Sequence, residues 1–111
     1  MKERIEFAVA NGVDKDNIIV DPGIGFGKTL EHNLELLRNL RELKRLGRPM
    51  LVGTSRKGFI GKITGRPEGM RLGGTIASVV YAVVQGADIV RVHDVAECRQ
   101  AVAVVDALAR S

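Results

Sequence analysis

The chain has 111 residues, with 17 Lys and Arg against 13 Asp and Glu, a net charge of +4 and a pI near 9.6. Its 45% hydrophobic and 27% charged residues are an ordinary globular composition, which excludes disorder, and the length suits one domain, residues 1–111, rather than two. A single cysteine, Cys98, excludes a disulfide-stapled scaffold and fits a reducing cytoplasm, and the dispersed basic residues with 4% aromatics offer no basic stripe or stacking platform for nucleic acid.

The chain opens on Met1-Lys2-Glu3-Arg4-Ile5-Glu6, which carries acids and no apolar stretch and so lacks the form of a secretory signal. Residues 2–11 place Ile5, Ala8 and Val9 at helical spacing, with Gly12 as the C-terminal cap. Ile18-Ile19-Val20-Asp21 reads as a short buried strand that Pro22 ends. Residues 23–27 alternate glycine with a side chain and must be a loop. The next helix is the clearest element. Leu30, Leu34, Leu37, Leu40, Leu43 and Leu46 recur every three or four residues, Thr29 caps the start, and Gly47-Arg48-Pro49 stops the end.

Residues 50–55 read as a second strand, with a short helix starting near Lys57 or Gly58 and a loop around 64–70. A small-residue helix follows over about 74–85, ended by Gly86. It contains the longest apolar run, residues 76–84, which Ser78 and Tyr81 interrupt well short of the ~18 residues of a membrane span, so no membrane partner is expected. Residues 89–93 form the third strand. Asp94-Val95-Ala96-Glu97 has the form of a helix start with an N-cap acid, and the last helix runs to about Arg110. Cys98 shares helical spacing with Val95, Val102 and Val105 and reads as a small core residue. Tyr81 reads as packing and His32 as surface.

The order α-β-α-β-α-β-α implies parallel strands joined by right-handed crossovers. Polar residues then gather at the carboxyl ends of the strands: Asp21 on the first, Ser55-Arg56-Lys57 on the second, Arg91 and His93 on the third. In parallel α/β folds that edge is where ligands bind. Strand alternation puts Ile89, Arg91 and His93 on one face and Val90 and Val92 on the other, where the valines pack under helices. By the same alternation Ile19 and Asp21 share a face, as do Leu51, Gly53 and Ser55. A guanidinium and an imidazole together call for an anion or acid partner. Plainer readings stand beside these: Asp21 before Pro22 as a turn former, Lys57 as a solvated residue, Arg91 and His93 paired with internal carboxylates.

Other motifs fail. Gly23 to Gly27-Lys28-Thr29 leaves three intervening residues where a P-loop needs four, and the third glycine comes one residue early for a dinucleotide fingerprint. No His, Cys and carboxylate set has zinc spacing, so no metal ligand is expected from this chain.

Three segments carry a resemblance: Asp21-Pro22-Gly23-Ile24-Gly25-Phe26-Gly27-Lys28, Leu51-Val52-Gly53-Thr54-Ser55-Arg56-Lys57 and Ile89-Val90-Arg91-Val92-His93-Asp94-Val95. Together, in order and at similar spacing, they closely resemble the dihydropteroate synthase family, over essentially the whole chain and against the C-terminal part of that enzyme. The resemblance implies an α/β fold that is part of a TIM (β/α)8 barrel: three C-terminal parallel βα units preceded by a helix. It implies a transferase of folate biosynthesis that joins 6-hydroxymethyl-7,8-dihydropterin pyrophosphate to para-aminobenzoate, releasing pyrophosphate and 7,8-dihydropteroate, and that sulfonamides mimic the aminobenzoate.

Position by position, the resemblance makes Asp21 the acid that binds the pterin ring and Phe26 the aromatic residue between the two substrate pockets. Lys57 contacts the pterin near the aminobenzoate, and Arg91 and His93 hold the leaving pyrophosphate. Lys57, Arg91 and His93 are the implied catalytic residues. Gly53, Ser55, Gly58 and Val92 join Asp21 and Phe26 as implied substrate contacts. Gly58 stands where many members have serine, which removes a hydroxyl from the aminobenzoate site. The magnesium ion of the family takes an asparagine that lies outside this chain.

A TIM barrel takes ~250 residues, so the resemblance implies a fragment or a self-associating homo-oligomer whose isolated chain is inactive. Two other readings are a segment of a pterin-binding methyltetrahydrofolate methyltransferase and a non-catalytic, truncated binding module. Ser-Arg-Lys and Arg-Val-His favour the synthase, because departure of pyrophosphate calls for cations and methyl transfer does not.

Overall fold

A computed structural model of the chain describes residues 2–25 and 29–109. Helix α1 (Lys2–Ala10) buries Ile5 and ends at Gly12, whose φ of +95° is the left-handed conformation expected of a C-terminal glycine. Val13 N–H closes the cap by donating to Ala8 O at 3.0 Å. A 3-10 turn (Lys15–Asn17), capped by the Asp14 carboxylate, leads to Val20. Helix α2 (Leu30–Arg38) starts at Thr29, whose hydroxyl accepts from His32 N–H at 3.2 Å.

The leucine periodicity predicts one helix to Leu46. The structure breaks it at Asn39 (φ −107°, ψ 18°) into α2 and a short α3 (Leu40–Lys44). The Asn39 side-chain amide donates to Glu35 O at 2.8 Å, an alternative to helix bonding that asparagine offers readily. Leucine spacing survives the break, since Leu37 and Leu40 are both buried on either side of it.

Strand β1 (Leu51–Val52) pairs in parallel with β2 (Ile89–Val90), Leu51 beside Ile89 and Val52 beside Val90. On the other side of β1, Val20 makes a single parallel bridge to Met50: Val20 N–H donates to Pro49 O at 2.9 Å and Leu51 N–H to Val20 O at 2.8 Å. The three expected strands therefore lie side by side in parallel with β1 central, but each is shorter than its sequence suggests. Between β1 and β2 run α4 (Gly58–Thr64), a 3-10 turn (Glu68–Met70) and α5 (Leu72–Val84); α6 (Val95–Ala109) follows β2 and packs on α5.

Alternation along the strands decides the core. Val20, Met50 and Val52 are fully buried under the helices with Ile24, Leu40, Phe59, Ile60 and Ala82. The opposite face is open: Ile19 is 54% exposed and Ile89 40%. On α6, Cys98 is buried as expected, but Val95 of the same stripe is 60% exposed. Tyr81, expected in the packing, is 40% exposed along the groove between α2, α4 and α5. Among the described residues no helix is long and apolar enough to cross a membrane.

Candidate active site

The parallel register places the site. Leu51 stands beside Ile89, an offset of 38 residues, and the same offset holds past the strand ends. It brings Gly53 to Arg91, Ser55 to His93 and Arg56 to Asp94.

At the first pair, the Arg91 guanidinium lies across the Gly53 backbone. A β-carbon on Gly53 would come within 2.8 Å of Arg91 Nη2, so the arginine occupies space that only glycine leaves free. At the second, the Ser55 hydroxyl accepts from His93 N–H at 3.0 Å and lies 2.8 Å from His93 Nδ1. At the third, Arg56 grips Asp94 with two charge-assisted bonds, Nη2 to Oδ1 at 2.7 Å and Nε to Oδ2 at 3.2 Å. That hydrogen-bonded pairing holds the Asp94 carboxyl below the usual carboxylate range and raises Arg56 further. Asp94 also stands at the start of α6 as the sequence predicts, its carbonyl accepting from Cys98 N–H at 3.0 Å.

Arg56 is the one described non-glycine residue with positive φ, at 56°. Its backbone is held at both ends: its N–H donates to the buried Thr75 hydroxyl at 3.0 Å, and its carbonyl accepts from Arg71 Nη1 at 3.0 Å. This turn reverses the chain and delivers Lys57 at the start of α4. Lys57 Nζ donates to Ile24 O, and its aliphatic stem lies against Gly25, where a β-carbon would meet Cδ at 2.9 Å.

Gly53, Ser55, Lys57, Arg91, Val92 and His93 line one hollow of about 100 Å³. The hollow carries three cationic or potentially cationic side chains and no carboxylate among its lining residues, so it is chemically an anion site. Asp21 does not line it. Register explains why: Val20 faces Met50, so Asp21 stands level with Leu51, two residues before Gly53. The Asp21 carboxylate accepts from Gly23 N–H at 2.8 Å, a turn bond that also orders the loop leading to Ile24 and Gly25. Asn33, buried in α2, holds that loop from behind by accepting from Gly25 N–H at 2.8 Å. Gly58 is exposed, and Phe26 lies outside the described residues. Among the described residues no group of three or more His, Cys, Asp or Glu side chains could hold a metal ion.

The Ser55–His93 and Arg56–Asp94 pairs are the functional contacts that sequence reasoning missed. The signal was available in principle, because a parallel register once fixed pairs every later residue by a constant offset.

A family model described as Pterin binding enzyme matches residues 1–93. The chain belongs to the pterin binding enzyme family. Within that family it is 55% identical over 108 residues to the dihydropteroate synthase of Synechocystis sp., covering 96% of this chain and 37% of that protein. Among solved structures it is similar to Yersinia pestis dihydropteroate synthase in a sulfonamide drug complex, with a TM-score of 0.94 and 44% identity over 98% of this chain and 40% of the other. It is likewise similar to the Thermus thermophilus enzyme in complex with 4-aminobenzoate, with a TM-score of 0.89 and 44% identity over 96% of this chain and 43% of the other. The chain thus spans about two-fifths of the length of these pterin binding enzymes.

Proposed function

We propose that this chain supplies the anion-holding part of a dihydropteroate synthase active site, within three βα units of a TIM barrel. The observation that carries this reading is the convergence of Lys57, Arg91 and His93 on one hollow at the carboxyl ends of β1 and β2. The family membership and the relatives' names support the substrate class: a pterin pyrophosphate and para-aminobenzoate.

In the reaction the aminobenzoate nitrogen attacks the pterin methylene carbon. The C–O bond breaks, its electron pair leaves with pyrophosphate, and the amine loses a proton. Negative charge grows on the departing oxygen. Arg91 and His93, fixed beforehand by Gly53 and Ser55, stabilise that charge without rearranging, which is where electrostatic catalysis gains most. Lys57 stands between the hollow and the loop that follows Asp21, a position suited to contact both the pterin and the incoming amine. Asp21, one step further down the sheet, suits the distal ring edge of the pterin, where a carboxylate accepts two parallel N–H bonds. The magnesium ion implied by the resemblance would take its protein ligand from outside residues 1–111, and no step above runs through it.

The isolated chain binds and does not turn over on this reading, because it spans about two-fifths of its relatives' length and the rest of the barrel, with the magnesium-binding asparagine, lies outside it. Self-association would supply the missing part of the barrel on this reading, and a cytoplasmic setting fits the chemistry. Isothermal titration of inorganic pyrophosphate into the chain tests the proposal. Binding that weakens sharply in Arg91→Ala and Lys57→Ala, and with rising salt, is expected. Indifference of wild type to pyrophosphate would refute it. A methyltransferase segment would leave no reason for this cation cluster, and the same titration separates the two.

A further inference from the structure

We propose that Ser55 is a positioning residue that fixes His93 as the tautomer with its proton on Nε2, making Nε2 the nitrogen offered to an anion. The proposal deepens the reading of the hollow as the pyrophosphate site and rests on that reading only for the identity of the anion.

The argument is one of hydrogen-bond accounting. Ser55 is 5% exposed at the edge of the hollow, and both partners the structure gives its hydroxyl belong to His93. A hydroxyl offers one proton and two lone pairs. One lone pair is taken by His93 N–H at 3.0 Å. The other partner is His93 Nδ1 at 2.8 Å. Were Nδ1 to carry the hydrogen, Ser55 would accept twice and its own proton would be left without a protein acceptor. With the hydroxyl donating to Nδ1, every group is satisfied and the ring hydrogen stands on Nε2. The imidazole is then held by two bonds to one oxygen, through its own backbone N–H and through its ring, which leaves its χ angles little freedom. Metal-binding histidines are oriented through their second nitrogen in the same way. Here the group to be received is an anion, and an Nε2–H is the donor it needs.

The neighbouring charged groups are engaged elsewhere. Asp94 follows His93 directly, but its carboxylate is committed to Arg56. Arg91 lies over Gly53, and Lys57 donates to Ile24 O. The arrangement is also legible from register, since Ser55 and His93 are cross-strand partners at the 38-residue offset of β1 and β2.

The chain contains two histidines, His32 and His93, so imidazole nitrogen NMR on the uniformly 15N-labelled full chain resolves the site directly. At a pH where both rings are neutral, His93 is expected to show a protonated Nε2 and a bare Nδ1, while the exposed His32 shows the averaged signals of a free ring. In Ser55→Ala the His93 signals should collapse toward the same average, and in Ser55→Thr, which keeps the hydroxyl, they should return. Inorganic pyrophosphate should shift Nε2 in wild type and bind about fivefold to tenfold more weakly to Ser55→Ala. A wild-type spectrum with the proton on Nδ1 overturns the proposal whether or not any variant folds, and so does an unchanged tautomer in a folded Ser55→Ala. If the wild-type tautomer is as stated but pyrophosphate moves nothing, the pyrophosphate reading fails and the positioning assignment stands.

Discussion

Arg56 and Asp94, 38 residues apart in sequence, are locked by two hydrogen bonds of 2.7 and 3.2 Å across the carboxyl ends of β1 and β2. The residue after Arg56 is Lys57 and the residue before Asp94 is His93, so the pair sets how far apart two site residues stand. Its pH dependence follows from sign. The Asp94 carboxyl is lowered by Arg56, so the unfolded chain binds more protons as pH falls through the carboxylate range. The stabilisation is complete above the unfolded pKa and is lost as pH falls through the folded one. Asp88, lowered by its hydrogen bond to Lys44, acts in the same direction. Thermal melts should show Tm constant near neutrality and declining on the acid side, with a shallower decline in Asp94→Asn, which should also melt lower than wild type at neutral pH.

Two glycines separate a site effect from a folding effect. Gly53→Ala meets the end of the Arg91 side chain at 2.8 Å, which can swing away. The variant should fold with a loss under about 1 kcal/mol and bind pyrophosphate about tenfold more weakly. Gly74→Ala would overlap Ile60 Cγ2 in the core, where a branched side chain cannot retreat. That overpacking should destabilise by about 1–3 kcal/mol, partly offset by the better helix propensity of alanine. Urea unfolding paired with titration calorimetry reads both effects.

Met50 is fully buried and links the single bridge of Val20 to the β1–β2 pair. Met50→Ala should cost about 2–5 kcal/mol through lost burial and a residual cavity. Urea denaturation gives the number. A loss below about 1 kcal/mol would mean the core closes around the gap.

Burial raises the Cys98 thiol and seals it beneath the α5–α6 contact. A neutral alkylating reagent should therefore modify the native chain at a rate set by opening of that contact. Labelling should accelerate with sub-denaturing urea. Immediate labelling without denaturant would show α6 already detached.

The cap at Thr29, the left-handed Gly12 and the buried leucines were legible because each depends on neighbours within one or two turns of chain. So was the gathering of polar side chains at one sheet edge, since alternation along a strand is a local rule. Strand length was not. Among the described residues Val20 makes a single bridge to Met50 where its sequence would support a longer ladder. The helix break at Asn39 was hidden because the leucine spacing continues through it. The capping motif at Asp94 marked the start of α6, which opens at Val95 with Asp94 O accepting its first helical bond from Cys98 N–H. What the motif did not show is the guanidinium supplied from 38 residues away, which donates to the same carboxylate. Asp21 illustrates the remaining limit: its face was legible, but its level along the sheet was not, and level is what separates it from the hollow.

The constant offset between the partners has an evolutionary corollary. Because Gly53 and Arg91, Ser55 and His93, and Arg56 and Asp94 meet through one shared alignment, a change of length in the turn between α4 and α5 would leave all three matches in register. A single residue inserted between Val52 and Gly53 would mismatch all of them together. Descendants of this scaffold thus have most latitude in the turn between α4 and α5, ahead of the Arg71 and Thr75 that hold Arg56, while the few residues following β1 admit no indel at all.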